Sequence, residues 1–131
     1  WFRVLSLIND EARRLLSLDF EYSNSMVYLR KIEKYVQNNY SKRITLGDVA
    51  KEVEISQSYL CRIFKSEVGT SITNYLNNLR IRKAATLIKE NTMSMKEISS
   101  MVGIDDQLYF SRLFKKCMGI SPSEYGKKYH Q

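Results

Sequence analysis

Apolar residues recur every three or four positions along most of this chain, which is the spacing of one face of an α-helix. The pattern in residues 1–18, with Val4 and Leu15 on one stripe, predicts a first helix. The short polar segment 19–25 predicts a joint, after which a second helix runs to residues 38–41. The chain is therefore predicted to be all-α.

Two later segments, residues 44–68 and 94–118, each predict a short helix, a tight turn and a second helix. This arrangement is a helix-turn-helix, and the segments are called the first unit and the second unit below. Each first helix begins with an N-cap pattern, and the pattern in the second unit predicts a full capping box. The N-cap pairs are Thr45 with Asp48 and Ser94 with Glu97.

The turns of the two units are predicted to differ in backbone cost. Gly103 takes the turn position of the second unit, where a positive φ is expected and glycine has no Cβ penalty. The same position in the first unit holds Glu54, for which a left-handed conformation costs about 1 kcal/mol. Small residues, Ala50 and Ser99, stand where the two helices of each unit cross.

The second helices of the two units repeat one another at a separation of fifty residues. A repeat of this length indicates one supersecondary unit used twice. Apolar residues at helical spacing predict a core-facing stripe on both copies, including Phe64 in the first and Phe114 in the second. The identical pairs are Gln57 and Gln107, Tyr59 and Tyr109, Arg62 and Arg112, Phe64 and Phe114, Lys65 and Lys115, Gly69 and Gly119, Ser71 and Ser121, and Tyr75 and Tyr125.

Polar and basic residues cover the opposite face of both repeated helices. Arginine can bridge guanine, glutamine can pair with adenine, and apolar groups meet the thymine methyl. Such a face within two helix-turn-helix frames predicts major-groove recognition, whereas one copy alone is equally typical of a solvated polar face. Lysines near the far helix ends fit phosphate better than bases. The candidate DNA-binding residues are Gln57, Ser58, Cys61, Arg62 and Lys65 in the first copy, and Gln107, Leu108, Ser111, Arg112, Lys115 and Lys116 in the second.

Several of these positions have alternative roles. Arg62 and Arg112 either contact bases or pair with a nearby acid or a phosphate. Asp105 and Asp106 either cap the second recognition helix or repel certain bases. Tyr59 and Tyr109 are expected to be partly buried.

Residues 71–91 predict one continuous helix between the units, because no proline or glycine interrupts the apolar stripe from Ile72 to Ile88. About 20 residues at about 1.5 Å each span about 30 Å, close to the roughly 34 Å between successive major grooves on one DNA face. Beyond the second unit, Ser121 and the proline after it predict a short final helix. Lys127, Lys128 and His130 are expected to form a frayed tail.

Charge narrows the choice of partner. The formal net charge is +7. Residues 1–23 carry three basic and four acidic side chains, and residues 24–131 carry eighteen and ten, so the second part alone has a net charge of +8. A basic domain of this size favours a polyanion, with nucleic acid ahead of an anionic membrane surface.

Other functional classes find little support in the sequence. Cys61 and Cys117 belong to no C-x-x-C motif and have no histidine at metal-ligand spacing. They are either reduced thiols, as expected in a cytosolic protein, or joined in one disulfide. His130 is the single histidine, so neither a metal cluster nor a Ser-His-Asp set is assembled, and no glycine-rich phosphate loop is present. We therefore expect no enzyme, no cofactor, no metal and no membrane span.

The motifs resemble the DNA-binding domain of the AraC/XylS family of bacterial transcription regulators. The resemblance covers about residues 26–129 and departs at Glu54, where the family usually has glycine, and at Ile104, where it often has phenylalanine. The segments that carry it are Ile44-Thr-Leu-Gly-Asp-Val-Ala50, Ser58-Tyr-Leu-Cys-Arg-Ile-Phe-Lys65, Tyr75-Leu-Asn-Asn-Leu-Arg-Ile-Arg-Lys-Ala84, residues 98–103, Tyr109-Phe-Ser-Arg-Leu-Phe-Lys-Lys116 and Gly119-Ile-Ser-Pro-Ser-Glu-Tyr125.

The resemblance implies a seven-helix domain with two helix-turn-helix subdomains joined by a long linker helix. It places this domain at residues 24–131, with an extra N-terminal helix over 1–23 as the connector from an upstream regulatory domain. That helix is alternatively a dimerising surface or a plain packing helix. The start at Trp1 indicates a fragment. The base contacts that the resemblance implies come from Ser58, Cys61, Arg62, Gln107, Leu108 and Arg112.

The leading hypothesis is therefore a sequence-specific DNA-binding domain that acts on an operator or promoter in the cytoplasm, at the nucleoid. RNA polymerase and a second copy of the chain are further candidate partners. One alternative is a basic helical interaction module that contacts acidic partners such as RNA polymerase subunits. Another is non-specific DNA architecture. The two recognition faces differ, which predicts an asymmetric target with unlike halves.

Overall fold

A computed structural model describes the backbone of residues 2–130 and the side chains of residues 11–16 and 24–130. The described backbone is all-α, as predicted, and contains no strand. No helix in this part of the chain is long and apolar enough to cross a membrane. The helices are α1 (Phe2–Asn39), α2 (Leu46–Val53), α3 (Gln57–Val68), α4 (Ile72–Glu90), α5 (Met95–Met101), α6 (Gln107–Met118) and α7 (Pro122–His130).

Helix α1 is a single helix of 38 residues. The predicted joint at 19–25 is therefore wrong, and the expected extra N-terminal helix continues into the next one. The segment is polar but contains no proline or glycine. Polar residues lower helix propensity by less than about 1 kcal/mol each, so they do not by themselves end a helix. The C-terminal part of α1 buries Leu29, Ile32 and Val36 in the first hydrophobic core.

Two hydrophobic cores lie on either side of the middle of α4. Ile72, Leu76 and Leu79 belong to the first core, which includes α2 and α3. Ile81 and Ile88 belong to the second core, which includes α5, α6 and α7. Helix α4 is thus the element that the two helix-turn-helix units share, as the continuous linker helix predicted between Ser71 and Asn91.

The internal repeat reproduces a packing arrangement. Phe64 meets Tyr75 edge-on, with ring centroids 5.5 Å apart. Phe114 meets Tyr125 in the same way, with centroids 5.4 Å apart. Edge-to-face geometry is the preferred arrangement of aromatic pairs. The repeated Phe and Tyr positions therefore anchor α3 to α4 and α6 to α7.

The N-caps of the two units differ in detail. In the first unit, Thr45 Oγ1 accepts from Asp48 N and Asp48 Oδ2 accepts from Thr45 N, which completes a capping box. In the second unit, Ser94 Oγ accepts from Glu97 N at 3.1 Å. The Glu97 carboxylate then accepts from the Ser94 hydroxyl instead of the Ser94 backbone. Ser94 is thus the N-cap, but the predicted full box lacks its second bond.

The turns have the predicted left-handed backbone, with φ of 63° at Glu54 and 90° at Gly103. In both units the backbone amide of the residue after the turn donates a hydrogen bond to the carbonyl oxygen of the small residue. These bonds run from Ile55 N to Ala50 O and from Ile104 N to Ser99 O. Small side chains at these two positions allow the helices to cross closely. Ser99 is 1% exposed, and its hydroxyl donates to the Ile104 carbonyl.

We expect Glu54→Gly to raise the free energy of unfolding by about 1 kcal/mol, because glycine removes the Cβ penalty at a positive φ. The Glu54 side chain is exposed and forms no ion pair within the described residues, so little is lost with it. Asn91→Gly is the matched control, since Asn91 has φ of 54° but asparagine tolerates this region. Equal gains at both positions in urea denaturation would contradict this assignment of the cost.

The C-terminal segment is more ordered than the sequence suggested. Helix α7 includes Lys127 and Lys128 and extends to His130. His130 Nε2 lies 2.7 Å from the Ile88 carbonyl oxygen and donates to it. The predicted frayed tail is therefore wrong, because a long-range hydrogen bond to α4 holds the last turn.

Candidate nucleic-acid interface

Helices α3 and α6 each bury an apolar face and expose the polar one. Phe64 and Phe114 are fully buried at the centres of the apolar faces. All the candidate DNA-binding side chains predicted from the sequence are exposed. They are Gln57, Ser58, Cys61, Arg62 and Lys65 on α3, and Gln107, Leu108, Ser111, Arg112, Lys115 and Lys116 on α6.

The start of α3 is fixed by a cap and by a contact with α2. Ser56 Oγ accepts from Tyr59 N at 3.2 Å. The Gln57 side chain lies over the first turn of α2, where a Cβ added to Gly47 would come within 3.0 Å of Gln57 Nε2. Glycine at position 47 thus gives the Gln57 amide room to lie against α2.

Arg62 is placed by an aromatic neighbour. Its guanidinium carbon lies 5.2 Å from the centroid of the Tyr59 ring, within the range of a cation–π contact. Tyr59 in turn meets Tyr28 of α1 edge-on at 5.9 Å. Tyr59 is half-buried, as expected, and supports Arg62 from the side of α1.

Neither of the two candidate arginines has a carboxylate partner among the side chains of residues 11–16 and 24–130. Among the described side chains, the one ion pair joins Arg14 and Glu11 on α1. Arg62 and Arg112 therefore form no ion pair with any acid among the described side chains, although such a pair was one of the alternatives. Both guanidinium groups are exposed and available to an external acceptor.

The start of α6 is capped by Asp106, whose Oδ1 accepts from Leu108 N at 3.0 Å and Tyr109 N at 3.2 Å. The capping role, one of the two alternatives for this residue, is thus confirmed. Leu108 is 72% exposed and Tyr109 49%. Tyr109 is thus partly buried, as expected, but no aromatic ring among the described residues packs against it as Tyr28 packs against Tyr59.

Comparison with known proteins identifies the family. A family model described as a helix-turn-helix domain matches residues 49–128. The chain is 41% identical over 124 residues to the lactose operon transcription activator of Staphylococcus xylosus, covering 95% of this chain and 44% of that protein. It superposes on the C-terminal domain of AraT, a response regulator from Geobacillus stearothermophilus, with a TM-score of 0.75 and 38% identity over 77% of this chain and 84% of that one.

A transcriptional regulator from Chromobacterium violaceum with an AraC-type DNA-binding domain also superposes, with a TM-score of 0.75 and 25% identity over 83% of this chain and 97% of that chain. The chain belongs to the AraC/XylS family. It is a DNA-binding domain of a transcription regulator and not an enzyme. It spans less than half the length of the curated regulators that it matches.

The surface of α6 in this AraC-type domain continues onto α4. A cleft between the two helices is lined by Asn74, Asn78, Arg112 and Lys116, among others. The Cys117 thiol borders it and donates to Asn78 Oδ1 at 3.1 Å. Neither asparagine was among the candidate residues predicted from the sequence. Their polarity on the face of α4 opposite its apolar stripe is the signal that indicates a surface position.

The two cysteines of the AraC-type domain are free thiols, and both are exposed. Cys61 lies on the candidate face of α3 and Cys117 near the end of α6. The disulfide considered from the sequence is therefore absent. Helices α3 and α6 each carry one accessible thiol.

Proposed function

We propose that this domain recognises a specific operator or promoter sequence in double-stranded DNA by placing α3 and α6 in successive major grooves on one DNA face. The observation that carries the proposal is the exposure of both polar faces on helices joined by α4. With 19 residues, α4 spans about 28 Å at about 1.5 Å per residue. Successive grooves lie about 34 Å apart, so the length of the intact α4 helix is close to the separation of the grooves.

The proposed base contacts centre on the arginines. Arg62 and Arg112 are exposed and pair with no carboxylate in the part of the chain whose side chains are described, so their guanidinium groups are available to guanine O6 and N7. Gln107 is exposed in the first turn of α6, where a glutamine can pair with adenine. Lys65, Lys115 and Lys116 lie in the last turns of their helices, and we assign them to phosphates.

The two recognition faces differ where bases would be contacted. Ser58 in α3 corresponds to Leu108 in α6, and Cys61 corresponds to Ser111. A hydroxyl and an isobutyl group favour different base edges, since only the latter prefers the thymine methyl. The proposed target therefore has two unlike halves.

The first test separates this function from a protein-interaction module. Sequences are selected from random duplex DNA, and the best duplex is titrated beside a scrambled one at physiological salt. We expect binding to the selected duplex to be at least about a thousandfold tighter, the lower end for specific DNA-binding proteins. Equal affinities would favour non-specific architecture, and no binding to either would favour the interaction module.

We expect Lys65→Ala to weaken binding to the selected and scrambled duplexes to a similar degree. A lysine on phosphate contributes without regard to sequence, and its loss lowers the slope of log K against log salt by about 0.9. Lys34→Ala, which removes an exposed lysine from α1, is the matched control. A loss confined to the selected duplex would assign Lys65 to a base instead.

A further inference from the structure

Three segments of the chain meet at the middle of α4. Arg80 Nε donates to the Tyr40 carbonyl oxygen at 2.7 Å, and Arg80 Nη2 donates to the Lys42 carbonyl oxygen at 2.9 Å. Tyr40 and Lys42 lie in the loop between α1 and α2, which leads into the first helix-turn-helix unit. One guanidinium group thus ties this loop to the linker helix.

The turn of the second unit packs against the same loop. A Cβ added to Gly103 would lie 2.8 Å from Tyr40 O and 3.1 Å from Ser41 O, both backbone atoms. Contacts below 3.0 Å essentially do not occur for real Cβ atoms. The position therefore requires glycine for this close approach as well as for its positive φ. We call Arg80, Gly103 and the loop 40–42 the junction.

Side chains reinforce the junction on both sides. The Tyr40 ring packs against both hydrophobic cores. The Lys83 ammonium lies 5.8 Å from the centroid of that ring. A cleft beside Arg80 is bordered by Thr45 of the first unit and by Tyr109 of α6. The junction is thus where the first unit, the linker helix and the second unit touch.

Helix α4 alone sets a distance between the units, but long helices curve and bend. The junction adds a second connection between the units at the point where α4 passes from one core to the other. Two directional hydrogen bonds and a backbone contact at this point oppose bending and rotation of one unit against the other.

We propose that Arg80 is a positioning residue for DNA recognition, holding α6 at a fixed rotation relative to α3 so that the domain accepts one spacing between half-sites. This inference rests on the proposed two-groove function. One base pair inserted between the halves rotates the second half by about 35° around the DNA axis. With a fixed junction, α3 and α6 cannot both reach their half-sites after that rotation, so affinity falls. With a loosened junction, α6 can rotate with its half-site, so affinity is kept.

The experiment compares Arg80→Ala with Arg82→Ala. Arg82 is an exposed arginine two positions along α4, and its side chain donates no hydrogen bond within the described residues. Affinities are measured for the selected duplex, for duplexes with one base pair inserted or deleted between the halves, and for each half alone. We expect the affinity of the unaltered chain and of Arg82→Ala to fall at least about tenfold on either spacing change, which is the loss that one mismatched base pair in a site typically causes.

For Arg80→Ala we expect less than about threefold loss on the same spacing changes, with half-site affinities within about twofold of the unaltered chain. A merely structural role would lower every affinity in proportion and leave the spacing preference intact. If Arg80→Ala does not give a folded circular dichroism spectrum, Arg80→Lys takes its place. Its ammonium retains the charge but cannot offer the planar fork that spans two carbonyls.

A second measurement needs no DNA. Nitroxide labels on Cys61 and Cys117 place one probe on each recognition helix, and pulsed electron resonance gives the distribution of distances between them. We expect one narrow distance for the unaltered chain and Arg82→Ala, and a clearly broader distribution for Arg80→Ala or Arg80→Lys.

The outcomes separate the two proposals. An Arg80 variant that keeps both the spacing preference and the narrow distance overturns the role of Arg80. An unaltered chain that binds one half alone as tightly as the whole selected duplex overturns the two-groove function, and the label distances still decide whether Arg80 fixes the two helices.

Discussion

Arg62→Ala and Arg112→Ala are each expected to weaken binding to the selected duplex by about 1–3 kcal/mol, or roughly 5- to 150-fold. Each removes an exposed guanidinium that pairs with none of the described carboxylates, so the change leaves no buried charge behind. Binding to scrambled DNA should change much less, because a bidentate contact to guanine carries sequence information and a phosphate contact does not. Fluorescence anisotropy with both duplexes measures the two effects.

The same variants should also change which sequences are selected. Each alanine variant is expected to relax the base preference in one half of the target only, since Arg62 lies on α3 and Arg112 on α6. Arg82→Ala, on α4, is the matched control and should leave both halves unchanged. If both recognition-helix variants keep full affinity and the original preference, these arginines do not contact bases.

Phe64→Ala and Phe114→Ala are each expected to lower the free energy of unfolding by about 3–5 kcal/mol. Both rings are fully buried, and each loses an edge-to-face partner, Tyr75 or Tyr125. Stabilities of small domains are about 5–15 kcal/mol, so either change removes a large part of the total. Urea denaturation measures this loss, and Val68→Ala, at an exposed position of α3, should cost less than about 0.5 kcal/mol.

These two variants also test whether the cores are independent. Helix α4 and Tyr40 contribute to both cores, so damage to one core should destabilise the other unit as well. We therefore expect one cooperative transition in each variant. Two separate transitions, with the undamaged unit unfolding at its original urea concentration, would show that the junction does not couple the units.

Local sequence signals predicted the features that depend on neighbouring residues. The Thr45 cap, the positive φ at Glu54 and Gly103, and the continuous α4 all follow from short-range chemistry, and the structure has each of them. The fold class followed from the same helical spacing together with the internal repeat.

The misses depend on contacts between distant residues. The end of α7 is held by a hydrogen bond from His130 to Ile88. The two residues are 42 positions apart, so no local sequence pattern predicts this bond. Tyr59 and Tyr109 are identical in the repeat, yet only Tyr59 meets Tyr28 of α1. Arg80 gave no signal of its own, because its partners are backbone carbonyls, which every residue carries.

The exposure of the candidate side chains could be predicted from the sequence, but the contacts that support the two helices could not. Exposure of the polar faces of α3 and α6 follows from burying the apolar stripes at Phe64 and Phe114. The relative placement of the two faces depends on the junction, which brings together residues far apart in the chain.

Hydroxyl-radical footprinting on the selected duplex tests the central claim most directly, namely that α3 and α6 bind unlike half-sites one DNA turn apart. The predicted result is two protected patches on one DNA face, with centres about 10 base pairs apart and different base sequences beneath them. A single protected patch, patches on opposite faces, or two identical half-sites would contradict it.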